Sequence, residues 1–242
     1  MGRPVHYSME IAARCQDLIE LLVDQTDSDP KLTARWRGPL RTTFLLAMST
    51  PMLVLPMERL FKPVLRKAGV ADDSQLDPAA GDRVLTTFAD GRPFQEADFY
   101  EAEMWSYIDA TKRFPVAEVW PGEIFDQLEA TKAFDGAAAA PTSDILECLR
   151  NALSHGGVAY LDSRGRQSED ATSMLGFAAY PSLGRRDELR ILRISVDGYQ
   201  RFLAAWSNWL TSTGIEGKLT QDGPGWFDVQ VPVASLRADL ER

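Results

Sequence analysis

Cysteine and histidine are scarce in this chain, with two of each in 242 residues. Cys15 and Cys148 lie far apart and neither belongs to a CxxC pair. That argues against a disulfide framework and a Cys-rich zinc site, and it suits a reducing cytoplasm. No cofactor or metal is expected, because the sequence holds no zinc-ligand cluster, no P-loop and no GxSxG motif. Basic residues are in deficit: 26 against 35 acidic, a formal net charge of −9. A stable DNA-binding protein would show a basic face, so any nucleic-acid contact should be transient or confined to a pocket. The opening MGRPVHYSMEIAARCQ has no apolar signal core. The most apolar run, FLLAMSTPMLVLPM from Phe44 to Met57, is shorter than the ~20 residues that span a bilayer and carries two prolines. It reads as buried protein, and no membrane partner is expected.

What is present is material for a core. Hydrophobic residues make up 45% and aromatics 10%, ample for a single domain, residues 1 to 242, with appendages. No internal repeat is visible. The periodicity predicts a helix from Ser8 to Asp24, with Ser8 as its cap, and a second from Leu32 to about Thr50, split or kinked at Gly38-Pro39. The Thr50-Pro51 pair should end that helix, and Pro56 should open another that closes at Gly69. Residues 70 to 100 read as loops. Phe99 to Thr111 and Pro121 to Phe134 read as helices, and FDGAAAAPT as a linker, so 70 to 140 form an insertion.

From Thr142 the pattern sharpens. PTSDILECLRNALSH predicts a helix capped by Thr142 or Ser143 and stopped by Gly156-Gly157. GVAYLD, SMLGFAAY and ELRILRISV read as strands. DGYQRFLAAWSNWLTSTG reads as an amphipathic helix capped by Asp197. The tail, 214 to 242, offers FDVQVPV as an edge strand at best. The expected fold is mainly α: a helical bundle with a small β-hairpin or sheet inserted before the last long helix.

One stretch carries chemistry. On a wheel of roughly 100° per residue, Ile145, Leu149, Ala152 and Leu153 share the core face of the Asp144–His155 helix. Glu147, Arg150, Asn151, Ser154 and His155 fall on the other side. Asn151 and His155 are neighbours at i and i+4, and the long Arg150 side chain can reach the same cleft. An imidazole that changes charge near pH 7, a permanent cation that forks onto phosphate, and an amide suit metal-free phosphoryl chemistry on RNA. The alternative is an ordinary helix end, where cations and a glycine stop are common. Ser154 and Glu147 are candidates to orient the histidine or the arginine. His6 reads as a bystander in a frayed terminus, Arg35, Arg37 and Arg41 as a solvated face or an RNA approach, Arg185-Arg186 as solubilising, and Trp206, Trp209 and Cys148 as packing.

RNALSH resembles the signature of the HEPN superfamily: arginine (Arg150), a polar residue (Asn151), three more residues, then histidine (His155). The helical context agrees, and TPMLVLPMERL resembles a segment in a branch of often plasmid-borne bacterial HEPN proteins. The resemblance is closest from about Asp144 to Tyr160. It implies a HEPN-like helical bundle and a metal-independent endoribonuclease, with Arg150, Asn151 and His155 catalytic. It also implies a homodimer with paired motifs at the interface, RNA as substrate, and a toxin or phage-defence role with an antitoxin as a further partner. Other members have lost catalysis and bind nucleotide, RNA or protein. Some HEPN toxins carry a tyrosine two residues after the histidine for modification by an antitoxin; here that position is Gly157, and the nearest tyrosine is Tyr160.

Overall fold

The computed structural model describes residues 6–65, 73, 78–88, 91–167, 172–181 and 187–212. The chain is mostly helical with a small antiparallel sheet. Helix α1 (Tyr7–Ser28) buries Met9, Ala12, Cys15, Ile19 and Val23, one stripe at helical spacing. It lies against α3 (Arg41–Pro56) and α9 (Val196–Thr211). The core of α9 is aromatic. Phe202, Trp206 and Trp209 mesh with Phe61, Phe88, Phe99 and Trp105 at ring separations of 4.6–6.4 Å. Each such ring, fully buried, contributes about 2–3 kcal/mol. Trp206 and Trp209 are thus packing residues, as their spacing implied.

The short α2 (Pro30–Trp36) ends where Arg37 turns left-handed at φ 59°, ahead of Gly38-Pro39, so the expected split occurs there. The expected stop at Pro51 does not. Helix α3 runs through Pro51 to Pro56 and continues as a π-helical turn (Met57–Phe61) and α4 (Lys62–Val64). Each later proline has a distant substitute for its missing donor. Pro56 cannot serve the Met52 carbonyl, which accepts the Trp206 indole N–H at 2.8 Å. Pro63 leaves the Arg59 carbonyl to the Asp73 amide, at 2.8 Å. Neither partner is visible in local sequence. The proposed closure at Gly69 lies outside the described residues. The combined helix, Arg41–Val64, is long and apolar enough by length and composition to cross a membrane. Here its Leu45, Met52, Leu53, Leu60 and Phe61 are buried against the other helices.

Three further expectations are corrected. Within 70 to 100, residues Pro78–Phe88 form α5. The segment read as a helix from Phe99 holds a turn and then strand β1 (Trp105–Lys112). Its aromatic and β-branched residues pair antiparallel with β4 (Glu188–Ser195), a contact that lies 76 to 89 positions away and outranks local spacing. The FDGAAAA linker is helical too: α6 (Gly122–Glu129) is followed by α7 (Thr131–Ala139). Alanine is the strongest helix former, and Gly136 lets α7 close on β1, where an added Cβ would sit 3.2 Å from the Tyr107 carbonyl.

The predicted strands β2 (Val158–Leu161), β3 (Met174–Ala179) and β4 form as read, and the sheet order is β1-β4-β3-β2. The sheet is therefore not a simple insertion before α9, because its edge strand β1 comes from the 70–140 region. Helix α8 (Thr142–His155) packs Ile145, Leu149 and Ala152 inward against β3. A second, smaller core of Trp120, Ile124, Phe125, Leu161 and Ile191 joins α6 to the sheet.

Several caps differ from expectation. His6, not Ser8, precedes α1; it is 4% exposed rather than frayed. Ser8 sits inside the helix and donates to Asp73. Pro141 precedes α8, and Thr142 Oγ1 instead donates to the Arg92 carbonyl at 3.1 Å. Ser195 caps α9 by accepting the Gly198 amide at 3.0 Å, which leaves Asp197 to pair with Arg41. FDVQVPV, Arg185 and Arg186 lie outside the described residues.

Candidate functional site

The last turn and a half of α8 carries Arg150, Asn151 and His155. All three line one open cleft of about 1020 Å³, with Arg113, Tyr180 and Pro181 also on its walls. The amphipathicity of α8 explains the placement: the apolar face is committed to β3, so Arg150 and His155 are left on its outer side, while Asn151 is buried beside them. Gly156 ends the helix in a left-handed conformation, φ 73°, with open space where a Cβ would go. Gly157 does more than help stop the helix. Its carbonyl accepts the Ala178 amide at 2.8 Å, and an added Cβ would lie 2.1 Å from the Ala178 carbonyl oxygen. It locks the motif to β3 of the same chain.

Burial grades the three residues. Asn151 is 8% exposed, Arg150 is partly buried and His155 is exposed at the helix end. Arg150 is held on two sides. Its Nη1 donates to Asn151 Oδ1 at 2.5 Å, and its Nη2 pairs with Glu58 on the π-helical turn. Burial pushes the guanidinium below its ordinary pKa, although an arginine stays charged at any physiological pH. With its oxygen occupied by Arg150, Asn151 donates its amide nitrogen to the Tyr180 carbonyl at 3.5 Å.

The supporting residues part company. Ser154 is exposed and makes no hydrogen bond among the described residues. Glu147 does not reach His155 or Arg150; it pairs with Arg190 of β4 at 3.3 Å, beside Asp144 at 2.9 Å. Cys148 is fully buried, and desolvation drives its thiol pKa far up, as suits a packing residue. Arg41 spends its charge on Asp197 and Gln200, and Arg35 stacks over Trp36, so neither reaches the cleft.

Two participants went unread in the sequence. Glu58 looks like half of an ordinary i,i+4 pair with Lys62, which it also makes at 2.6 Å; only the π turn and the packing of α3 on α8 bring it to Arg150. Arg113 follows β1 and lies over the Tyr180 ring at 5.3 Å. It adds a cation and a π face to the wall of the cleft. Among the described residues no group of three or more His, Cys, Asp or Glu side chains is placed to hold a metal ion. Comparison with family models, with curated proteins and with solved structures gave no match to this chain.

Proposed function

We propose that the chain is a HEPN-type endoribonuclease that acts on RNA without a metal, as a cytoplasmic homodimer, in a toxin or phage-defence setting where an antitoxin would restrain it. The observation that carries this is the gathering of Arg150, Asn151 and His155 on one open cleft. His155 takes the 2′-OH proton, and O2′ attacks the adjacent phosphorus. The leaving O5′ collects a proton from the second imidazole of the dimer. Arg150, Asn151 and Arg113 stabilise the charge that builds on the phosphate oxygens. The products are a 2′,3′-cyclic phosphate and a 5′-hydroxyl. One imidazole per cleft is the reason to pair copies: an isologous contact brings two together.

A second reading is a non-catalytic module that binds nucleotide, RNA or protein. The grip of Glu58 and Asn151 on Arg150 favours it, since a cation so engaged is a poorer partner for a phosphate. The test is cleavage of mixed RNAs in excess chelator by the purified full chain. Activity in the wild type that vanishes in His155→Ala and nearly vanishes in Arg150→Lys supports the enzyme. A stable dimer that binds RNA and never cuts it supports the module.

A further inference from the structure

Behind Arg150, away from His155, lies a second pocket of about 530 Å³. It shares Arg150, Asn151 and Pro181 with the cleft, so one ligand could touch both spaces. Its apolar side is built by Phe61, Phe88 and Met57; the two rings meet edge to face at 4.6 Å. Its polar side is built by Ser143, Asp144, Glu147, Lys62 and Arg190; Lys62 is paired with Glu58, and Arg190 with Asp109, Asp144 and Glu147. Arg190 uses Oδ2 of Asp144 and Oε2 of Glu147. Asp144 Oδ1 and Glu147 Oε1 make no hydrogen bond among the described residues, and neither is among the buried unpartnered atoms. The space therefore offers an apolar wall, two accessible acceptors and a cation at its mouth.

Resting on the ribonuclease reading, we infer that this pocket is a base subsite that takes an amino-bearing nucleobase and turns uracil away. The base would lie against the apolar wall of Met57, Leu65, Phe61 and Phe88 while the phosphate of the same nucleotide stays at Arg150. Ionised carboxylates only accept hydrogen bonds. Guanine offers them two adjacent N–H groups, and adenine and cytosine an exocyclic amine. Uracil presents one N–H between two carbonyl oxygens, which the carboxylates repel. The subsite thus selects by an unfavourable contact as much as by a favourable one.

The experiment maps cleavage sites on RNAs of mixed sequence with the full chain. In parallel, calorimetry measures binding of guanosine and uridine 5′-monophosphates to wild type, Glu147→Gln and Asp144→Asn. Wild type should disfavour uridine at one side of the cut by roughly tenfold, and should bind the guanosine nucleotide preferentially. Glu147→Gln supplies an amide donor and should bring uridine to within about twofold. Asp144→Asn carries the same test if Glu147→Gln melts early. Even cleavage at all four bases, or a preference that neither variant moves, overturns the subsite and leaves the ribonuclease standing. Carboxylate-dependent guanosine binding with no RNA cut keeps the subsite and removes the ribonuclease. Neither binding nor cleavage removes both.

Discussion

Glu58→Gln keeps the shape of the side chain and removes the charge bound to Arg150. The pair is partly buried, with side chains 21% and 28% exposed, so it falls between two regimes. An exposed pair contributes about 0–1 kcal/mol; breaking a buried one costs about 3–5 kcal/mol. The gross attraction of such a pair is about 4 kcal/mol at an effective dielectric near 20, and desolvation and side-chain ordering offset most of it. We expect Glu58→Gln to destabilise the chain by about 1–2 kcal/mol, because Arg150 stays half-buried without its counter-charge. At about 2–4 °C per kcal/mol for a domain of this size, the melting point should fall by about 2–8 °C. The assay is urea denaturation followed by circular dichroism, run as a double-mutant cycle with Arg150→Met. With the cation gone, Glu58 retains Lys62 at 2.6 Å, so Glu58→Gln should cost almost nothing in that background. Equal penalties in both backgrounds would refute the pairing as the origin of the effect.

Three further outcomes follow from the same geometry. Gly157→Ala puts a Cβ 2.1 Å from a backbone oxygen of β3 and should cost at least about 3 kcal/mol, whereas Gly156→Ala meets open space and should cost only about 1 kcal/mol for its left-handed backbone; thermal melting ranks the two. Trp206→Phe strips the Met52 carbonyl of the donor that replaces Pro56 and should cost about 3 kcal/mol; adding Pro56→Ala restores a backbone N–H and should recover part of it, so a purely additive loss would contradict the assignment. Burial alone would raise the Asp73 carboxyl, but hydrogen bonds from Arg59 and Ser8 outweigh it and hold its pKa below the ordinary value. A depressed folded-state pKa contributes stability above the unfolded value near 4, lost as pH falls through the folded one. Asp73→Asn should therefore flatten the acid limb of a stability-versus-pH curve, and an unchanged limb would count against it.

The parts of the fold that were legible in sequence are those fixed by local pattern. Ile145, Leu149 and Ala152 mark the buried face of α8, Gly156 marks its end, and the short apolar runs at β2, β3 and β4 are set off by polar, Gly-containing turns. The parts misread depend on distant partners. Pro51 looks like a stop and Pro56 like a fresh start until the helix runs through both and the Trp206 indole takes up the carbonyl that Pro56 cannot serve. Trp105–Lys112 looks helical until β4 supplies its ladder. An alanine-rich stretch looks like a linker until Gly136 lets it pack on β1. The site divides the same way. Arg150, Asn151 and His155 share one helix, so spacing alone brought them together. Glu58 and Arg113 come from other elements, and Glu147 turned from its expected role because β4 places Arg190 within reach.

The central claim is that His155 and its neighbours cut RNA through the 2′-hydroxyl, with no metal required. Mass spectrometry of RNA fragments made by the full chain in excess chelator tests it directly. The account predicts 2′,3′-cyclic phosphate and 5′-hydroxyl ends from wild type and no fragments from His155→Ala. Ends bearing a 5′-phosphate, fragments that disappear on chelation, or equal cutting by His155→Ala would contradict it.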